Sequence, residues 1–151
     1  MAWTQRVLVV ANQTVASEEL HRELVGRHRH CPTAFSLLMP ARRTPAAEEQ
    51  LHEVVAELRA SGLDVDGRIG DADPFFAIHE LWDPRRYDEI LICTLPATSS
   101  RWLQTNLLRR VERRTGALVS HLSASAWGGA QRIPEPVREA WTPGPPSRVT
   151  A

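Results

Sequence analysis

The stretch "ILICTLPATSSRWLQTN" (residues 90–106) decides the fold. Its opening run is apolar throughout, as a strand covered on both faces requires. Pro96 marks a turn, and Ser99 or Ser100 then opens a helix. A junction of strand, turn and helix belongs to an α/β protein, and ligands of such folds sit beyond the carboxyl ends of the strands. Phosphate-binding junctions are normally rich in glycine. This one contains none.

The same alternation extends in both directions. "RVLVVAN" (6–12) is a buried, β-branched strand with a polar stop. Ser17 caps the helix that follows, with Glu18 and Glu19 in its first turn and Leu20, Leu24 and Val25 on its apolar face. "TAFSLLMP" (33–40) is the second strand. Thr44 caps the next helix and Pro45 takes its first position. Leu51, Val54, Val55 and Leu58 recur there at helical spacing, and Gly62 ends it. "LDVDGRIG" (63–70) is a third strand, weak at Gly67. Asp73 and Pro74 open a third helix, lined by Phe75, Ile78, Leu81 and Trp82. After strand four (88–94), one continuous fourth helix carries Leu103, Leu107, Leu108 and Val111 inward. Arg109, Arg110, Arg113 and Arg114 fall at its carboxyl end, and "ALVSHL" (117–122) is strand five.

Five strands alternating with four helices predict an α/β domain over residues 1–122: a single doubly wound five-stranded parallel sheet with helices on both faces. In the order 3-2-1-4-5 the reversal lies between strands one and four. The facing loops supply Asn12 and Thr14 on one side and Thr94, Thr98, Ser99, Ser100, Arg101 and Trp102 on the other. Hydroxyls, helix-start N–H groups and one positive charge suit a small anion such as a phosphate. The same serines also serve as ordinary caps, and Arg101 as a solvated charge. Trp102 suits either stacking on a base or closing the pocket.

The totals exclude several classes. Formal net charge is zero over 151 residues, which argues against a nucleic-acid binder working by phosphate neutralisation. Apolar runs are strand-sized, too short to span a membrane. No cleavable leader is evident, so a cytoplasmic location is expected, with Cys31 and Cys93 as reduced thiols. His28 and His30 do not share a helix face and have no second ligand cluster, so no metal site is expected. Asp73 is explained as a cap, leaving Asp71 weak support for a metal. His79 and His121 read as structural. No catalytic set is readable, so the chain is not expected to be an enzyme. Residues 123–151 hold five of the eleven prolines and read as an irregular tail. Its Trp127 and Trp141 suit docking on the domain or on a protein partner.

Three stretches carry a family resemblance. "VLVVANQTVAS" is similar to an opening strand ending in Asp-Gly-Ser with a serine cap. "GDADPFFAIHE" is similar to a Gly-Asp-Pro helix opening. "YDEILICTLPATSSRWLQTNLLRRVERRTGALVSHL" is similar to a closing strand-helix-strand unit. Together they resemble the universal stress protein family over residues 6–122. The resemblance implies the same five-stranded sheet, a regulatory role in the stress response, and a homodimer formed through the last strand. Some members bind ATP and others do not. ATP-binding members carry Gly-x-x-Gly at the end of strand four, then nine residues, then Gly followed by Ser or Thr. Counted along this chain, those places fall on Ile92, Leu95, Thr105 and Asn106, and the ribose-binding aspartate falls on Asn12. The resemblance therefore implies a divergent member, lacking the usual ATP motif, that binds a nucleotide or phosphate by another loop or binds none. In the second case it is a dimeric scaffold recruiting a partner through its dimer edge or tail.

Overall fold

The computed structural model describes residues 3–96 and 100–124. Thr98 and Ser99, and the tail with Trp127 and Trp141, lie outside the described residues. In chain order the elements are β1 (Gln5–Val10), α1 (Glu18–His30), β2 (Thr33–Pro40), α2 (Pro45–Ala60) and β3 (Asp64–Gly70). They continue with α3 (Pro74–Leu81), β4 (Glu89–Thr94), α4 (Arg101–Gln104), α5 (Leu107–Thr115) and β5 (Val119–Ser123). The sheet is wholly parallel in the order β3-β2-β1-β4-β5, as the alternation of elements predicts.

The caps set the helix boundaries. Ser17 accepts from the Leu20 N–H, Thr44 from the Ala47 N–H, Asp73 from the Phe75 N–H and Ser100 from the Leu103 N–H. Each satisfies a donor that the first helical turn leaves unpaired.

Strand pleating sends alternate side chains to two cores. Val7, Val9, Phe35, Leu37 and Leu91 face α1 and α2 and pack with Leu20, Leu24, Leu51 and Val55. Leu8, Val10, Leu38, Ile90 and Ile92 face the other way, onto Ala77 and Ile78 of α3 and Leu107 and Val111 of α5. Gly67, weak by strand propensity, has a packing reason. A Cβ there would stand 2.8 Å from Val55 Cγ2 and 3.0 Å from Leu51 Cδ1, so its absence lets α2 lie close on β3.

The fourth helix is not continuous. It breaks at Thr105 and Asn106, and Asn106 is in the left-handed region (φ 61°), alone among described non-glycine residues. The apolar spacing of Leu103, Leu107, Leu108 and Val111 ran across this break and concealed it. The break also changes what faces inward: Trp102, rather than Leu103, packs on the second core. An L-residue with an ordinary Cβ pays about 1–2 kcal/mol in that conformation, while Asn and Gly tolerate it. Asn106→Ala is expected to lower stability by about 1 kcal/mol, and Asn106→Gly to leave it within about 0.5 kcal/mol. Urea denaturation at unchanged m-value measures both. Equal stability of the two variants would contradict a strained position.

Strand five begins at Val119, so Leu118 precedes it and is 65% exposed. The strand runs on to Ser123. Ala124 is buried and donates its N–H to the Thr94 carbonyl.

At the amino-terminal end of the sheet lies a buried carboxylate within a strand that reads as apolar. Glu89 opens β4 with its side chain 5% exposed. Arg27 of α1 donates Nη1–H to Glu89 Oε1 at 2.9 Å and Nε–H to Glu23 Oε2 at 2.8 Å. Gln5 Nε2 also donates to Glu89 Oε1, and Ser120 Oγ to Oε2. Burial alone would raise the pKa of the Glu89 carboxyl. The hydrogen bonds from Arg27 and Ser120 and the Arg27 charge outweigh it and hold the carboxyl below its ordinary value.

Candidate functional site

At the carboxyl ends of β1 and β4, where the strand order reverses, a cleft of about 490 Å³ opens. Asn12, Gln13 and Thr14 line it from the loop after β1. Cys93, Thr94 and Leu95 line it from the end of β4, and Ser100, Arg101 and Trp102 from the start of α4. Its size falls within the usual range for small-molecule sites, about 300–1,000 Å³.

Six residues nominated from sequence meet here: Asn12, Thr14, Thr94, Ser100, Arg101 and Trp102. Thr98 and Ser99 are not among the described residues. Thr105 and Asn106 lie at the helix break and do not line the cleft. Ile92, where the first family glycine was counted, is fully buried in the second core. Gln13, Cys93 and Leu95 join the lining without having been nominated as ligand contacts. Strand alternation was the available signal for Cys93, since Ile92 and Cys93 must face opposite sides.

The hydroxyls are already engaged. Thr14 Oγ1 donates to the Cys93 carbonyl at 3.2 Å. Thr94 Oγ1 donates to the Leu95 carbonyl and lies 2.8 Å from His121 Nε2. With its proton committed to Leu95, Thr94 accepts from the Nε2–H tautomer of His121. Ser100 Oγ caps α4. The Thr14 and Thr94 protons are thus spent internally, whereas Ser100 accepts the Leu103 N–H in its cap and keeps its own O–H to donate. Arg101 differs. It is exposed on the cleft rim and has no ion pair among the described residues. Trp102 packs part of its ring on the second core and lines the cleft with the rest. It is a wall of the cleft rather than a plug.

Cys93 sits on the floor. Burial pushes its thiol up to about 11, against a smaller opposing hydrogen bond from Thr14. It is a neutral thiol at physiological pH and not a nucleophile. Asp71 and Asp73 are both committed to backbone N–H groups, Asp71 to that of Asp73 and Asp73 to that of Phe75. Among the described residues no group of three or more His, Cys, Asp or Glu side chains gathers as a metal site. Among the same residues no helix is long and apolar enough to cross a membrane.

No family model and no curated protein matches the sequence. Solved structures do match the fold. A universal stress protein from Archaeoglobus fulgidus is 16% identical, with a TM-score of 0.56 over 79% of this chain and 93% of its own. A universal stress protein in complex with cAMP is 21% identical, with a TM-score of 0.57 over 83% of this chain and all of its own. The Archaeoglobus fulgidus protein in complex with dAMP is 16% identical, with a TM-score of 0.56 over 82% of this chain and all of its own. The chain has a universal-stress-protein-like fold, the five-stranded parallel sheet of order 3-2-1-4-5.

Proposed function

We propose that this chain is a non-enzymatic regulatory module that binds a nucleoside monophosphate, linear or cyclic, in the β1/β4 cleft through a loop without glycines. The open cleft at the switch point carries this reading. Structural neighbours with cAMP and with dAMP support the ligand class.

The left-handed backbone at Asn106 refines how the family pattern lies on the chain. Glycine is used where φ must be positive, and that need falls on Asn106 rather than Thr105. Moving the count by one residue places the earlier glycines at Cys93 and Pro96. Cys93 lines the cleft and Ile92 does not. Read so, the chain turns at Asn106, the pattern's Ser or Thr place falls on buried Leu107, and Pro96 lacks the backbone donor that a triphosphate chain would use. Arg101 is the remaining cation, suited to one phosphate group.

Calorimetric titration with cAMP, AMP, ADP and ATP tests the proposal. AMP or cAMP is expected to bind at least as well as ATP, without a magnesium requirement. Arg101→Ala is expected to weaken binding about tenfold, the worth of one charge-assisted bond at a partly exposed site. Tight, magnesium-dependent ATP binding would overturn the non-standard loop. Absence of binding by every nucleotide would retire the site.

In a second reading the chain is a ligand-free scaffold. The internally bonded hydroxyls of Thr14 and Thr94 favour it, as does Leu118, exposed at the foot of edge strand β5. There a homodimer would form through β5, or a protein partner would be recruited by the tail in a stress response. Deleting residues 125–151 separates these: loss of partner capture with unchanged oligomeric state identifies the tail.

A further inference from the structure

Two helices carry unpaired stripes of opposite charge. On α2, Glu49, Glu53 and Glu57 recur at four-residue spacing, all exposed. On α5, Arg109 and Arg113 do the same. None of these five joins an ion pair among the described residues. Like charges at that spacing repel one another along a helix; the helix dipole offsets this for Arg113 in the last turn of α5, and an opposite charge brought to either stripe would relieve the repulsion. Nearby charges are otherwise engaged. Glu48 pairs with Arg43, Arg110 lies 4.6 Å from the centre of the Phe75 ring, and Arg114 contacts His79. Glu112 is the one acid on α5.

The stripes cannot meet within one molecule. The apolar face of α2 packs into the first core and that of α5 into the second, so the helices cover opposite sides of the sheet. They also stand near opposite edges, α2 on β3 and α5 beside β5. We infer that the acidic face of α2 on one copy docks on the basic face of α5 on a second copy, giving head-to-tail self-association. The occupant is argued from charge complementarity: each face offers what the other lacks, and a net charge of zero leaves no overall repulsion between copies. A contact of this kind uses two different surfaces, so it repeats from copy to copy instead of closing as a pair. A helix-on-helix contact without a large apolar centre belongs to the weak class of interfaces, below about 1,200 Å². Its attraction should fade as the screening length drops from about 10 Å at 0.1 M salt to about 3 Å at 1 M.

Sedimentation of the full chain over a concentration series tests this. At low salt the weight-average mass is expected to rise with concentration without a plateau, and at 1 M salt to settle to one value. Arg109→Glu with Arg113→Glu, and separately Glu53→Arg with Glu57→Arg, should each weaken association by about tenfold or more. Mixing the two variants should restore it, because each then carries a face complementary to the other. Circular dichroism confirms that both remain folded, and Arg109→Gln with Arg113→Gln serves as a milder variant should a reversal unfold. A salt-independent mass, a constant mass at low salt, or no rescue on mixing would overturn the proposal. So would an effect confined to the arginine variant, which would give the basic stripe a partner other than α2.

Discussion

Glu89→Ala is expected to lower stability by about 2–3 kcal/mol, because it removes one of the two carboxylates that pair with the largely buried Arg27 guanidinium. The Arg27 side chain is only 21% exposed, and Glu23 is the one carboxylate left to it. Ser120 and Gln5 lose their acceptor as well. For a domain of this size that loss lowers the thermal midpoint by roughly 10 °C. Glu89→Gln keeps the shape and isolates the charge. The folded state holds Glu89 ionised at a lower pH than the unfolded chain does, so its contribution is complete above its ordinary value of 4.5. It is lost as pH falls from there through the lower folded value. The stability difference between wild type and Glu89→Gln should therefore be constant near neutrality and shrink on acidification through that window. A difference that persists unchanged into strong acid would show that the carboxylate charge is not what stabilises the site.

Ile92→Gly is the second large effect. Ile92 is fully buried between Val10 and His121 in the sheet, with its side chain among Leu8, Ala77 and Leu107. Removing it leaves a cavity and adds a flexible residue to a central strand, together about 3–5 kcal/mol. Ile92→Val removes one methyl group and should cost about 1 kcal/mol. Chemical denaturation measures both. The glycine variant should gain no nucleotide affinity, since Ile92 faces away from the cleft. A stable Ile92→Gly protein with new ATP binding would restore the original count of the glycine pattern.

Much of this fold was legible because its determinants are local. Ser17, Thr44 with Pro45, and Asp73 with Pro74 announce helices within three residues of their own position. The apolar runs announce strands buried on both faces. The cleft followed from order alone, since β1 and β4 must flank the reversal. What stayed hidden depends on distant partners or on backbone geometry. Glu89 passed as part of an apolar strand because Arg27 lies far off in sequence. Asn106 bends the chain without disturbing the apolar spacing around it. The hydroxyls of Thr14 and Thr94 looked available because their carbonyl and histidine partners appear only when strands are side by side.

The position of β1 in the sheet also bears on how the domain is made. One flank of β1 is satisfied early: Gln5 aligns with Thr33 once a single short crossover has been synthesised. Its other flank waits for β4, with Val7 opposite Glu89, after most of the domain has left the ribosome. Closing so long a loop is slow compared with forming local contacts. During that interval β1 exposes a row of unpaired amides beside wholly apolar side chains, Val7 to Val10. The nascent chain is therefore most vulnerable to wrong pairing at its centre, and arrival of β4 both completes the sheet and ends that exposure.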